Sequence, residues 1–446
     1  MRFVIIGGDA AGMSAASRAK RKNPHLEVIV LEQTMDVSYS ACGMPYNIAA
    51  PERDMDELVV RKAEVFIEKN NINLLTGHRV EAIDRVGKKV MGVSLDNKEF
   101  SFSYDALLIA TGASPAIPSL PGFYLPGVMP LKSLAHGKRI KSFIKSQNVK
   151  KAVILGMGYI GLEMCEALSA LSIEIDMVKP RPVFLPWMVP ELAGVILKEV
   201  EENRVTLHQG AAVKGIESQS NRLQVLCDGF KLETDMVIVA SGVNPCSNIA
   251  ADAGLELGIS RSISVDSRLR TSDKNIYAAG DCADAIHVVT GKKCWIPLAL
   301  RANRAGWAVA DNICGTKTSL AGVAGTSVFK VFSLEVARTG LNMKEALKEG
   351  FDPLEKTVKT RSRAHGHPGS TTIYVSMVGD RKTGRLLGVQ MIGKEGVAQR
   401  INAPAVALHN KMTIEAFSQC DFAYAPPFGP VWDPLLTAAN QILKKM

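Results

Sequence analysis

The stretch VSYSACGMPY, Val37 to Tyr46, sets one thiol, Cys42, among small residues, with the turn formers Gly43 and Pro45 just behind it. An accessible thiol that reaches its thiolate form is a nucleophile toward sulfur and can exchange with a disulfide, or it can cycle through a sulfenic acid. The chain has eight cysteines. They are scattered without a CxxC pair or zinc-ligand spacing, which argues against a disulfide scaffold and leaves no metal ligands to assign. The other seven cysteines read as inert, Cys165 and Cys314 as packing residues inside apolar helical runs, so Cys42 is the thiol placed to do chemistry.

The residues that must position it form a repeat. RFVIIGGDAAGMSAASRAKR and KAVILGMGYIGLEMCEALSA each run from a short apolar β-branched segment through a glycine turn into a helix. The second is a full GxGxxG with Gly156, Gly158 and Gly161. The first has Gly7, Asp9 in the middle position, and Gly12. Such a turn lets a dinucleotide diphosphate approach the backbone amides at a helix N-terminus. One copy is weak evidence, and two copies between strand and helix are strong.

An acidic residue at the end of the second strand tells the two units apart. LEVIVLEQT ends its strand near Glu32, about twenty residues past Gly12, where a carboxylate accepts hydrogen bonds from a ribose 2′-hydroxyl. The equivalent segment IEIDMV runs into Lys179, with Arg181 close behind. Two cations there attract a 2′-phosphate, so the second site is expected to tolerate or prefer NADP over NAD. The alternative is that Lys179 and Arg181 are solvated loop charges.

Ser14, Arg18 and Arg21 fall at i, i+4 and i+7 of the first helix and so share a face. A hydroxyl and two cations on one stripe could hold the phosphates of a large anionic thiol. They could equally be ordinary solvated charges near a helix C-terminus.

At 446 residues, with 47% hydrophobic and 22% charged residues, the chain has the composition of a globular protein of roughly two to four domains. No apolar run approaches a bilayer span, and MRFVIIGG leads straight into a glycine loop with no cleavage site, so a cytoplasmic location is expected. The net charge of +9 is spread along the chain. Without a basic stripe interleaved with aromatics, nucleic acid is disfavoured and anionic small molecules explain the excess. Strand-like segments end at Ala110, Thr111 and Gly112, at TDMVIVASGVNPC, and at AAGD, residues 278 to 281. From about Gly325 the pattern changes to TSVFKVFSLEVARTG, STTIYVSMVGD and RLLGVQMIG, with a helical AVALHNKMTIEAF, which reads as a separate α+β domain.

Over essentially its whole length the chain resembles the pyridine nucleotide-disulfide oxidoreductases, on the ordered motifs GGDAAG, ATG at 110–112, GMGYIG at 156–161 and AAGD at 278–281. The resemblance implies an α/β fold of two Rossmann-like dinucleotide-binding domains, for FAD and for NAD(P)H, plus a C-terminal α+β dimerisation domain. The implied map is 1–112 and 236–320 for FAD, 113–235 for NAD(P)H and 325–446 for dimerisation. It places Asp281 on the flavin ribityl chain and further cofactor contacts at Ala11, Gln33, Val80 and Ala299. Tyr159 would cover the flavin until the nicotinamide arrives, and Glu163 would lie by the nicotinamide; a packing aromatic and a helix-dipole carboxylate are the bland alternatives.

Relatives with an internal redox disulfide carry a second cysteine five positions on, where this chain has Asn47. A single cysteine within SYSACGMPY, together with the ending FAYAPPFGPVWDP, is similar to the branch of coenzyme A-disulfide reductases and NAD(P)H polysulfide or persulfide reductases, next to NADH oxidases. By that resemblance Ser38 and the first helix contact coenzyme A. Tyr424 would reach the active-site sulfur from the partner subunit of a homodimer. A tyrosine usual before a Pro-Gly pair is missing, and RAHGHPGS offers His367 or His365 instead, as proton donors or as surface turn residues. Persulfide reductases of this branch often carry an added C-terminal rhodanese domain, for which the segment ending at Met446 leaves no room, a modest pointer toward disulfide or polysulfide reduction.

The resulting expectation is a homodimeric FAD enzyme that uses NADH or NADPH to reduce coenzyme A disulfide, or a coenzyme A persulfide or polysulfide. It would act through a mixed disulfide on a low-pKa Cys42. The alternatives are an NAD(P)H oxidase reducing oxygen through a Cys42 sulfenic acid, and a flavoprotein redox sensor.

Overall fold

The computed structural model describes residues 1–219 and 222–446. The sequence repeat becomes two five-stranded parallel sheets that share the arrangement of four strands and differ in the fifth, an edge strand that comes last in chain order in the first sheet and first in the second. Arg2–Ile6 is central in the first, with Glu27–Leu31 and Asn73–Leu75 on one side and Ala106–Ile109 and Ile276–Ala278 on the other. Lys151–Leu155 is central in the second, between Glu174–Lys179 and Thr206–Gln209 on one side and Met236–Val239 and Val128–Pro130 on the other. Both central strands are unbroken apolar runs, FVII and AVIL, buried at every one of those positions. Parallel strands covered on both faces require this, because no side of the strand is left for polar residues.

Four helices matter to the site: α1 (Ala10–Lys22), α2 (Met44–Ile48), α3 (Tyr159–Ala170) and α4 (Ala299–Ile313). Helices α1 and α3 open directly from the two glycine turns. Helix α4 lies against α1 with Gly306 at the contact, where a Cβ would fall on the carbonyl oxygen of Ala11.

The expected boundary at residue 236 needs correction. Met236–Val239, MVIV, is fully buried and hydrogen-bonded into the second sheet beside Lys151–Leu155, so the chain is still in the NAD(P)-type domain there. It returns through Val243–Pro245, which pairs antiparallel with Ala113–Pro115, the outgoing segment.

The C-terminal domain is one antiparallel sheet in the order Ser327–Val331, Leu334–Gly340, Leu386–Gly393, Thr372–Asp380, Pro353–Arg361. All eight residues of Leu386–Gly393 are buried, as a central strand beneath helices demands. Pro353–Arg361 had no counterpart in the sequence reading, because its charged, half-exposed residues carry only a weak edge-strand pattern. The helical reading of AVALHNKMTIEAF resolves into Asn402–His409 and Ile414–Ser418. Lys411 at φ 52° ends the first helix, and the Thr413 side chain accepts the Ala416 amide to cap the second. Among the described residues no helix is long and apolar enough to cross a membrane.

Candidate active site

The first glycine turn is built to hold a diphosphate. Gly7 has φ 108° and packs against the Ala110 carbonyl, and Gly12 packs against the Gly7 carbonyl, so side chains at either position would collide with backbone. Helix α1 then begins with no acidic residue in its first turn and no side-chain cap from Asp9, leaving its first amides to a ligand. Glu32 closes the turn: one carboxylate oxygen accepts the Gly8 amide at 2.8 Å, and the other accepts the amide and hydroxyl of Thr34. Gln33 beside it is exposed, and Val80 packs onto the sheet core. Ala11 is buried beside Gly280, and Ala299 is exposed at the first residue of α4. At the other rim the Thr111 hydroxyl donates to the Cys246 carbonyl (2.5 Å), and Gly112, at φ 69°, has open space where a side chain would stand. These features fit FAD.

One charged residue here was not singled out from sequence. Lys132 Nζ pairs with Asp281 at 3.2 Å. Asp9, in place of the middle glycine, is pushed up to about 6 by burial, with Lys132 opposing the shift and Glu32 adding to it.

The second turn repeats the geometry. Gly156 (φ 112°) packs on the Ala240 carbonyl and Gly161 on that of Gly156, whereas Gly158 faces open space. Its cradle fits a second dinucleotide. Lys179, however, is not an open cation. It is 9% exposed and its ammonium donates to the Val183 carbonyl at 2.6 Å; burial, with Arg181 adding, lowers its pKa. Arg181 alone is exposed. The same loop is anchored to the C-terminal domain, since Asn342 and Gln390 both donate to the Trp187 carbonyl, and Gln390 accepts the Val189 amide. Tyr159 joins this anchorage. Its ring packs 4.7 Å from Phe329 and 5.6 Å from Trp187, with its hydroxyl 3.2 Å from that of Ser327.

Cys42 lies between the two turns. The segment carrying it is tied to the first by Ser38, at φ 51°, whose amide donates to the Gly8 carbonyl. It is tied to the second by Tyr46, whose hydroxyl donates to Glu163 at 2.9 Å. The thiol stands in a one-turn 3-10 helix, Ala41–Gly43, that feeds into α2, and it is exposed. The expected low pKa is not what these surroundings produce. The thiol is open to solvent but recessed among protein atoms, and this desolvation, then Glu163, pushes it up, while Lys132 pulls it down. Burial likewise raises Glu163, opposed by the Tyr46 hydrogen bond.

The stripe on α1 is also revised. Arg18 grips Asp311 of α4 through two bonds of 2.7 and 2.9 Å, and Lys22 reaches the same carboxylate at 3.0 Å. The Ser14 hydroxyl donates to Asn303, so Arg21 is the exposed cation of the original three.

In the C-terminal domain the Ala364 amide donates to the Pro426 carbonyl, which sets the loop of His365 and His367 beside that of Tyr424. His367 contacts the Pro368 carbonyl through a ring nitrogen, and Tyr424 is exposed, as are Phe428, Val431 and Trp432 further along the chain. Among the described residues neither loop hydrogen-bonds to the Cys42 segment of its own chain.

Residues 1–306 match the family described as pyridine nucleotide-disulphide oxidoreductase, and residues 326–434 match its dimerisation domain. The chain belongs to the pyridine nucleotide-disulphide oxidoreductase family. Members of this family use FAD with NADH or NADPH. The chain is 37% identical over 439 residues to the NAD(P)H coenzyme A polysulfide/persulfide reductase of Pyrococcus horikoshii, covering 98% of each protein. It is 33% identical over 447 residues to an NADH oxidase of Methanocaldococcus jannaschii, covering 100% of this chain and 99% of that protein. It superposes with a TM-score of 0.96, at 35% identity, on an NAD-dependent persulfide reductase from A. fulgidus, covering 100% of this chain and 83% of that one. In this family member, Lys132 and Tyr46 escaped the motif reading for different reasons. Tyr46 had a signal, four residues after Cys42 at the start of a helix, whereas Lys132 meets Asp281 only through the fold.

Proposed function

We propose that this chain is a homodimeric FAD enzyme that uses NADH or NADPH to reduce coenzyme A disulfide, or coenzyme A persulfide or polysulfide, through Cys42. The observation that carries the reading is the location of that thiol: exposed, without a second cysteine in its segment, and bridged to both glycine turns through Ser38 and Tyr46.

Bound FAD supplies the two-electron link between the nicotinamide and sulfur. The Cys42 thiolate attacks the substrate S–S bond, forming a mixed disulfide and releasing one thiolate, which takes up a proton. Two electrons from NAD(P)H then cleave the mixed disulfide, returning the Cys42 thiolate and a second thiol. Lys132 favours the thiolate and Glu163 opposes it, while the Tyr46 hydrogen bond holds Glu163 at the junction. Leaving-group protonation falls to Tyr424 or His367, whose loops are joined by the Ala364–Pro426 hydrogen bond, acting in this reading on the Cys42 of the partner subunit. Arg181 is the cation available to a 2′-phosphate, and Lys179 shapes its loop.

The test is anaerobic oxidation of NADH and NADPH by the FAD-loaded protein with coenzyme A disulfide, with polysulfide and with air-saturated buffer alone, for wild type and Cys42→Ser. Sulfur-dependent turnover that Cys42→Ser abolishes is the expected result. Turnover in air alone, unaffected by disulfide, would overturn the reading in favour of an oxidase.

A further inference from the structure

The segment that carries Cys42 is a closed loop. Its ends meet where the Ser40 amide donates to the Leu58 carbonyl and the Val60 amide to that of Ser38, and between them run the turn of Cys42, α2 and a second short turn at Met55–Leu58. The helix Leu134–Gln147, part of the NAD(P)-type domain, packs on this loop. A Cβ at Gly137 would fall 2.8 Å from the Met55 methyl and 3.4 Å from the Met44 sulfur, and Lys138 pairs with Asp56 at 2.6 Å. One helical turn beyond Gly137, Lys141 reaches into the loop.

There its ammonium meets uncharged oxygens alone: the Asn47 carbonyl at 3.0 Å, the Asn47 side-chain oxygen at 2.9 Å, the Ala50 carbonyl at 2.9 Å and the Arg53 carbonyl. Three N–H bonds cannot each be aimed at one of four acceptors, so the ammonium sits as a cation in a cage. The oxygens come from the last turn of α2 and the chain just beyond it, where a helix leaves carbonyls without partners of its own. Asn47 is fully buried, and its side-chain nitrogen donates to the Asp54 carbonyl at 2.9 Å. The position at which relatives with an internal redox disulfide carry their second cysteine is therefore spent here on holding the loop. Removing the ammonium strands the Asn47 side-chain oxygen in the interior without its donor.

We propose that Lys141 is a positioning residue for Cys42, a tethered cation that fills a carbonyl cage and fixes the thiol-bearing loop to the NAD(P)-type domain. It acts through α2, whose first residue follows the Cys42 turn directly. Two successive residues of α2, Tyr46 and Asn47, are held by two different helices of one domain, through Glu163 and Lys141, which sets the rotation of α2 as well as its place. A displacement of about 1 Å at a reacting atom is enough to cost about a hundredfold in rate. The cage calls for a compact ammonium, because a planar guanidinium does not match oxygens that converge on a point. The inference rests on the reading of Cys42 as the reactive thiol and names the residue that places it.

The test compares FAD-loaded wild type, Lys141→Ala and Lys141→Met, with and without ethylammonium chloride. It reads three rates: disulfide-dependent oxidation of NAD(P)H, reduction of ferricyanide by NAD(P)H, which needs no thiol, and alkylation of Cys42 by iodoacetamide, followed by peptide mass spectrometry. Lys141→Ala should lose up to about a hundredfold in disulfide turnover and keep ferricyanide reduction. Its Cys42 should be alkylated faster, since a loosened loop relieves the desolvation that holds the thiol protonated. Ethylammonium, able to enter the vacated cage, should restore both rates. Lys141→Met, whose side chain fills the space of the lysine stem, should lose turnover and not recover. Full turnover in Lys141→Ala, or a loss that ethylammonium leaves in place, would overturn the proposal. Ferricyanide reduction lost in step with turnover would make Lys141 a residue of the general fold and reject it. The alkylation readout does not depend on the acceptor. If wild type reduces neither disulfide nor polysulfide, the proposed function fails; alkylation that rises in Lys141→Ala and falls back with ethylammonium then upholds the anchor, and an unchanged rate rejects it.

Discussion

Tyr46 and Glu163, 117 residues apart, are joined by a 2.9 Å hydrogen bond that fastens the turn of Cys42 to the helix opening the second glycine turn. The Cys42 segment and the helix that opens from the second glycine turn therefore share one carboxylate.

Glu163 opposes ionisation of Cys42. Glu163→Gln should move the Cys42 titration to lower pH, so that the reduced enzyme is alkylated by iodoacetamide faster at pH 7 than wild type. Lys132→Met should move it the other way. Alkylation rates measured from pH 5 to 10 check both signs, and a Glu163→Gln profile shifted to higher pH would show that the carboxylate acts on the thiol by some other route.

Asp9 is raised from 3.8 to about 6 in the folded chain. Between about pH 4 and 6 the folded chain then holds more protons than the unfolded one, so stability falls as pH rises through that window, by up to about 3 kcal/mol. Urea midpoints of the apoprotein should decline from pH 4 to 7, and Asp9→Asn should flatten the decline. Parallel slopes in the two proteins would contradict the shift.

Gly158 and Gly161 look alike in sequence but face different surroundings. Gly161→Ala drives a methyl into the Gly156 carbonyl and should destabilise the domain by about 1–3 kcal/mol. Gly158→Ala meets empty space at an ordinary φ, so melting should be unchanged while KM for NAD(P)H rises, its methyl occupying room meant for the diphosphate. Thermal melts and steady-state kinetics on the two variants separate the roles.

Arg181→Ala should cut kcat/KM for NADPH by about tenfold or more relative to NADH, as expected for one charge-assisted hydrogen bond. Lys179→Met leaves the Val183 carbonyl without its donor and should lower both nucleotides together. The ratio of the two specificities is the measurement, and a ratio unmoved by Arg181→Ala would place the 2′-phosphate elsewhere.

The glycine turns and Glu32 were legible in the sequence because they belong to a local pattern of strand, turn, helix and strand whose spacing the backbone imposes, whereas Asp281 came from the resemblance. Ionisation and pairing were not. Arg18 and Lys179 read as free cations, yet one is bound by Asp311, 293 residues away, and the other by a carbonyl in its own loop. Cys42 read as acidic, but desolvation and Glu163 are products of the folded neighbourhood. Met236–Val239 was assigned to the wrong sheet because MVIV suits either; register with Lys151–Leu155 decided it.

The paired segments Ala113–Pro115 and Val243–Pro245 place the chain's exit from the first domain and its return within one strand spacing, about 5 Å. A module whose two ends meet can be lifted out and replaced by a short turn without moving its host. The NAD(P)-type domain is thus a cassette. Its coenzyme preference can be exchanged through that ribbon, provided the graft also brings a loop that Asn342 and Gln390 can grip.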